Sequence, residues 1–248
     1  MLNSIPPSTP PSSVALVFAI RGEIKPILKE SRILSEILMG PTILSKVEFR
    51  GSPLLLCQTG IGLSAAHEGT ERLLGHFQPS RILSVGYAGG ADPSLKTGDL
   101  VIPAEIRSET PTDHFKTDPK GREMLVMLSE EERIPYKIGP LLTLWKVADG
   151  KEKAKWGEKG ALAVDMETAA VAAVAAKKKI PFLSLRVIFD TPTDELPFPK
   201  ETPRSSNLLP LLLKNPRAIL EIPRFFRMHQ ACQRNLIKVV ARFIDCFA

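Results

Sequence analysis

Cys57, Cys232 and Cys246 are the chain's three cysteines, and no two of them stand at a C-x-x-C spacing. An odd number without a framework excludes a disulfide scaffold and predicts a reduced, cytoplasmic chain. His67, His76, His114 and His229 are equally scattered, so no metal site is expected. The longest run of small apolar residues, A169-A-V-A-A-V-A-A176, is too short to cross a bilayer and stops at Lys177, Lys178 and Lys179. The opening MLNSIPPSTPPSS lacks the basic start and apolar core of a signal peptide, and its Pro/Ser content predicts a disordered tail over 1–13. No internal repeat is present.

What is present is an ordinary globular composition, 44% apolar and 24% charged over 248 residues, enough to bury a full core. V14-A-L-V-F-A-I20 is a continuous apolar run of the kind that forms a strand buried on both faces. Further strands are predicted at 53–57, 81–85, 98–102, 141–144, 161–164 and 181–188. Helical spacing covers 23–38, 63–77, 121–132 and 166–179. Strands alternating with helices predict a single α/β domain with a twisted, mixed but mostly parallel sheet flanked by helices. The domain is expected to span 14–203, with 204–248 as its basic amphipathic helical extension.

Q58-T-G-I-G-L-S-A65 places Gly60, Gly62 and Ala65 in a G-x-G-x-x-A pattern between a strand and a helix, as in dinucleotide sites. Such a site also wants an acid at the end of the next strand, for the ribose hydroxyls. Here the next strand ends in G86-Y-A-G-G90, and the first acid, Asp92, lies beyond the glycines. A tight strand-to-helix turn explains the motif better, and no cofactor is expected.

In a largely parallel sheet the carboxyl ends of the strands share one edge, where α/β folds bind ligands. R21-G-E23, T59-G-I-G62, G86-Y-A-G-G90 and F189-D190 sit at such ends, and V164-D-M-E-T168 sits where a strand enters a helix. Glu23, Glu167 and Asp190 are therefore expected to converge on glycine-rich backbone without a phosphate lysine, a serine elbow or a metal cluster. Carboxylates so arranged suit acid/base work on a polyol. Each also has a bland alternative: Glu23, Asp165 and Glu167 as acids of a helix's first turn, Asp190 as the start of an Asx turn. Arg186, inside an apolar strand, needs a buried partner, for which a carboxylate of this cluster would serve.

Together, A-I-R-G-E-I, T-G-I-G, V-G-Y-A-G-G, G-D-L-V-I, V-D-M-E-T-A-A-V-A and P-F-L-S-L-R-V-I-F-D run in an order that resembles the nucleoside phosphorylase/nucleosidase superfamily, which includes the 5′-methylthioadenosine/S-adenosylhomocysteine nucleosidases. The resemblance implies hydrolysis of an N-glycosidic bond in a 5′-substituted adenosine, with release of adenine. It implies Glu23 as the residue that positions and activates water, and Asp190 as the acid that protonates the purine. Arg186 stands near the water, and Met166 and Glu167 on the ribose. Gly60, Tyr87, Ala88 and Gly89 complete the substrate-binding set, and Trp145 falls where relatives place an aromatic over the base. Phosphorylases of the superfamily hold phosphate with an arginine where this chain has Ser84; phosphorolysis, with Arg21 and Arg186 as anion-site candidates, is the alternative. Tyr87 departs from the nucleosidases, which carry a small serine there. A futalosine-type hydrolase is a further alternative, and a membrane-associated protein with a degenerate site is the non-enzymatic one. Relatives form dimers or hexamers, so a homo-oligomer is implied; no nucleic-acid partner is.

The last fifty residues differ from those nucleosidases. From Lys200 onward nine basic residues stand against three acidic ones, and D190-T-P-T-D-E-L-P leads into L-L-K-N-P-R and a basic helix. The pattern is similar to members associated with hopanoid biosynthesis, which implies adenosylhopane as substrate. A basic amphipathic tail suits peripheral contact with the inner membrane surface; it equally suits a helix packed on the core with its arginines outward.

Overall fold

The computed structural model describes residues 13–194 and 216–246, so nearly all of the tail expected at 1–13 lies outside the described residues, as do 195–215, with the end of the D190-T-P-T-D-E-L-P segment and most of L-L-K-N-P-R. The sheet is built from the centre outward. β1 (Val14–Phe18) is buried at every position and pairs in parallel with β4 (Ser52–Gln58) and β5 (Arg81–Gly90). A strand with neighbours on both edges and helices on both faces has no place for a polar side chain, which is why VALVF carries none. β10 (Phe182–Asp190) adds a further parallel strand on β5. β6 (Leu100–Ser108) pairs antiparallel with β10 and also carries the short β7 (His114–Lys116). β8 (Tyr136–Thr143) follows in parallel, then β9 (Ala163–Asp165), which returns antiparallel onto Gly89 and Gly90 of β5. β5, β10, β6, β8 and β9 thereby close into a ring, which shares β5 with an open arm running β1, β4, β3 (Thr42–Phe49), β2 (Ser31–Met39).

Helices cover both faces. α1 (Arg21–Glu30), α3 (Pro119–Glu131) and the last helix, α6 (Pro216–Asp245), share one apolar cluster with the sheet; α2 (Leu63–His76) and α5 (Thr168–Lys177) share the other. α4 (Gly150–Glu158) covers a smaller cluster around Leu142, Leu144 and Val164. α6 buries Cys232, Leu236, Val239, Val240, Phe243 and Ile244 on the core. Its basic face meets α3: Arg242 donates to Glu131 at 2.6 Å and to Glu132 at 3.3 Å, and Lys238 lies 3.5 Å from Glu132.

Two expectations are corrected. The helix expected over 23–38 ends at Glu30, and Ser31–Met39 is strand β2, paired with β3 (Thr42–Phe49). Ile33-Leu34 and Ile37-Leu38 recur at four residues and so mimic a helix. Yet Ile33, Leu34 and Leu38 are exposed, so burial does not set their spacing. Gly40, at φ 60°, and Pro41 make the two-residue turn that folds β2 back onto β3. α4 was not expected at all. GKEKAKWGE has no apolar stripe, and its helicity comes from a capping box, Asp149 accepting from Glu152 N at 2.8 Å and Glu152 from Asp149 N at 3.0 Å.

Candidate active site

Glu23 stands in the first turn of α1 and folds its carboxylate back over the helix start. Oε2 accepts from Ala19 N at 2.9 Å and Ile20 N at 3.0 Å, and Oε1 accepts from Tyr87 N at 3.1 Å. These bonds, with the field of Arg186, favour the ionised form; burial outweighs them and pushes the acid above the usual carboxylate range. Gly86 makes the approach possible, since a Cβ there would overlap both Glu23 Oε1 and Arg186 Nη1.

Arg186 has its partner, and it is Asp165, which first-turn chemistry alone had seemed to explain. Asp165 Oδ2 accepts from Arg186 Nε at 3.0 Å and from Thr168 N at 3.1 Å, and Oδ1 accepts from Thr143 Oγ1 at 2.7 Å. Arg186 Nη2 donates to Thr168 Oγ1 at 2.6 Å and Ser84 Oγ at 2.8 Å. The acid thus caps α5 and neutralises the arginine at once.

Glu167, the residue before α5, is half-buried. Its Oε1 accepts from Gly62 N at 2.7 Å and its Oε2 from Met166 N at 3.3 Å. Gly62 holds φ 95° at the start of α2, a conformation that costs an L side chain strain. Burial, with Asp165 and Glu23 nearby, pushes Glu167 up to about 7. Gly60 N donates to Ala19 O at 3.1 Å. The two glycine N–H groups that a pyrophosphate would use are therefore taken by the protein itself.

Asp190 lies further along β10. β10 runs in register with β5 through Ile188↔Ala88, then a bulge at Phe189 sets Asp190 opposite Gly89. Its carboxyl is buried and raised by that burial, against the pull of Lys153, whose Nζ meets Asp190 Oδ2. Lys153, from α4, was missed by the sequence reasoning. It is one of several lysines in a polar stretch, and only the capping box before it signalled an ordered element.

The structure therefore brings Glu23, Arg186, Glu167, Met166, Gly60 and the β5 residues Tyr87, Ala88 and Gly89 to one edge, with Asp190 on the adjoining strand end. Tyr87 joins through its backbone. Its ring lies 5.3 Å from Phe189 and 5.6 Å from His229 of α6, and its hydroxyl is 3.2 Å from His229 Nε2. Trp145 is placed differently: it is 67% exposed, with Lys146 Nζ 5.6 Å from its ring. Arg21 points outward to Glu36 at 3.3 Å. Among the described residues no cluster of His, Cys, Asp and Glu has the arrangement of a metal site, and no helix is long and apolar enough to cross a membrane.

Comparison with known proteins bears on the family and the fold. The family model described as the phosphorylase superfamily matches residues 13–207. The chain is 28% identical over 225 residues to the 5′-methylthioadenosine/S-adenosylhomocysteine nucleosidase of Buchnera aphidicola subsp. Schizaphis graminum, covering 81% of this chain and 96% of the relative. It is 29% identical over 217 residues to the protein of the same name from Pseudoalteromonas translucida, covering 75% and 87%. Its fold is similar to the crystal structure of the Neisseria meningitidis nucleosidase in complex with methylthio-immucillin-A, with TM-score 0.75, 19% identity, and 95% and 99% of the two chains covered. It is also similar to the futalosine hydrolase of Helicobacter pylori, with TM-score 0.71, 21% identity, and 92% and 97% covered.

Proposed function

The chain belongs to the phosphorylase superfamily, and on that premise we propose that it is an N-ribosyl hydrolase releasing adenine from a 5′-substituted adenosine. The observation that carries this reading is Glu23: a buried carboxylate held by three backbone N–H groups at the strand edge, within the field of Arg186, with Glu167 close enough to feel its charge and Asp190 at the end of the adjoining strand β10.

Each carboxyl has a task in that reaction. Glu23, raised by burial, orients water and takes its proton as oxygen bonds to C1′. Glu167 accepts hydrogen bonds from the ribose hydroxyls, with Met166 against the sugar. Asp190 gives its proton to the purine, so that the electron pair of the breaking C1′–N bond leaves on a neutral base. Gly60, Ala88 and Gly89 let the nucleoside lie close to backbone, and the chemistry needs no cofactor.

Water is favoured over phosphate as the nucleophile. An anion would meet the Glu23 carboxylate, Arg21 is engaged outward by Glu36, and Arg186 is neutralised by Asp165 and hydrogen-bonded to Ser84. For the 5′ group, the aromatic set Tyr87, Phe189 and His229 beside Glu23 supports an apolar substituent larger than methylthio, and adenosylhopane is the substrate that the tail pattern suggests. Phe226 and Arg227, both exposed on the first half of α6, support contact with an anionic membrane surface from which so apolar a nucleoside would be drawn. The test is adenine release from adenosine, methylthioadenosine and a long-chain 5′-alkyl adenosine, with and without phosphate. Phosphate-independent release, fastest for the long chain, is expected; release only with phosphate would overturn hydrolysis, and a preference for methylthioadenosine would overturn the bulky 5′ group.

A further inference from the structure

Lys153 is 2% exposed, the one buried residue of an otherwise polar helix. Its ammonium meets Asp190 Oδ2 and donates to Thr191 O at 3.0 Å. Sinking an ammonium group costs heavily in desolvation, and the fold is shaped to permit it. The lysine stem crosses β5 at Gly89, where a Cβ would lie 2.8 Å from Lys153 Cδ and 3.4 Å from Asp190 Oδ1. α4 itself seats against backbone: a Cβ on Gly150 would overlap Pro192 O, and one on Gly157 would overlap Ala91 O. A lysine kept only for helix formation would lie in solvent, as Lys151 does on the same helix.

We propose that Lys153 is the positioning residue of the proton donor: it orients Asp190 through Oδ2, leaves Oδ1 on the Gly89 side for the purine, and stabilises the carboxylate that proton transfer leaves behind. The proposal rests on Asp190 acting as the acid. In the step, the C1′–N9 pair moves into the base, purine N7 takes the proton of the Asp190 carboxyl, and the resulting carboxylate is neutralised by the Lys153 ammonium. Water adds its oxygen to C1′ and loses a proton to Glu23; Glu23 then releases that proton to solvent, and solvent returns one to Asp190. Burial alone would make Asp190 so weak an acid that it would retain its proton; the ammonium opposes that. The other titratable groups that act on this carboxyl are Asp194, from the segment after β10, which disfavours its charge, and Cys232 of α6, a neutral thiol held up by burial near 12. Gly89 of β5 stands opposite Asp190 and pairs with Val164 of β9, and neither residue titrates.

The experiment is the pH profile of kcat for wild type, Lys153→Met and Lys153→Arg. Activity needs Asp190 protonated, so it falls as pH rises through the acid's titration. Loss of the ammonium should move that descending limb upward by roughly one to three pH units, and Lys153→Arg, which keeps the charge, should hold it near wild type. A slower Lys153→Met enzyme with an unmoved limb would reduce Lys153 to a packing role and overturn the proposal. If Lys153→Met does not fold, Gly89→Ala, which crowds the stem and leaves both charges intact, is read for the same upward shift. The Asp190 carboxyl titration, followed by ¹³C NMR and assigned with Asp190→Asn, reads the pairing without turnover. If no nucleoside is cleaved, the proposed function fails; an upward shift of that titration in Lys153→Met would still establish the pairing, and identical curves would overturn it.

Discussion

Between the ordinary carboxylate value of 4.5 and the value of about 7 that Glu167 reaches in the fold, the folded chain holds a proton that the unfolded chain has released. Stability therefore falls as pH rises through that window and levels off above it. Wild type should melt at lower temperature at about pH 8 than at about pH 5.5, and Glu167→Gln should lose less over the same span. Thermal melts of both proteins at the two pH values check this; equal losses would remove Glu167 as the source. Asp190→Asn should keep the fold, since the amide is nearly isosteric, and lose about 10²–10⁴-fold in kcat. Near-normal adenine release by that variant would end its role as the acid. At this scale the sequence was most legible for Glu23, Glu167 and Asp190, whose positions at strand ends and helix starts follow from local pattern. Asp165 was not, because its two jobs, capping α5 and neutralising Arg186, are joined only when β9 and β10 meet across the ring.

At the scale of elements, the start of α5 is where the two halves of the ring are tied. Asp165, Thr168, Arg186, Ser84 and Thr143 form one buried network drawn from four strands and a helix. Asp165→Ala leaves the guanidinium buried with only hydroxyl partners and should cost roughly 3–5 kcal/mol, measured by urea unfolding. A cost below about 1 kcal/mol would mean that water reaches Arg186 in the variant. The hairpin β2–β3 and helix α4 mark the limit of reading elements from pattern. Ser31–Met39 has helical spacing, but its backbone bonds are made with Thr42–Phe49. α4 has no spacing at all, and its place is decided by a cap and by one lysine reaching Asp190.

For the whole molecule, the decisive feature is α6, which closes the face formed by α1 and α3. Leu236, Val239, Val240, Phe243 and Ile244 are buried there, at about 1.5–3 kcal/mol each, which together approaches the whole stability of a domain, about 5–15 kcal/mol. A chain ending at residue 231 should lose its near-ultraviolet circular dichroism and its cooperative melt. Retention of both would show that the helix is an appendage. The same helix brings His229 to Tyr87 and Gln233 Nε2 to Gly22 O, so the end of the chain borders the site that its beginning builds.

The sequence by itself determined the class of fold, its central strands and the glycine and carboxylate segments at their ends, because burial on two faces and tight turns leave local signatures in residue type and spacing. The tertiary structure alone decided which charges meet. Asp165 found Arg186, Lys153 found Asp190, and the basic residues of α6 found the acids of α3. Buried charge needs a partner wherever the chain can bring one, and here Arg186 takes its carboxylate from 21 residues away and Lys153 from 37.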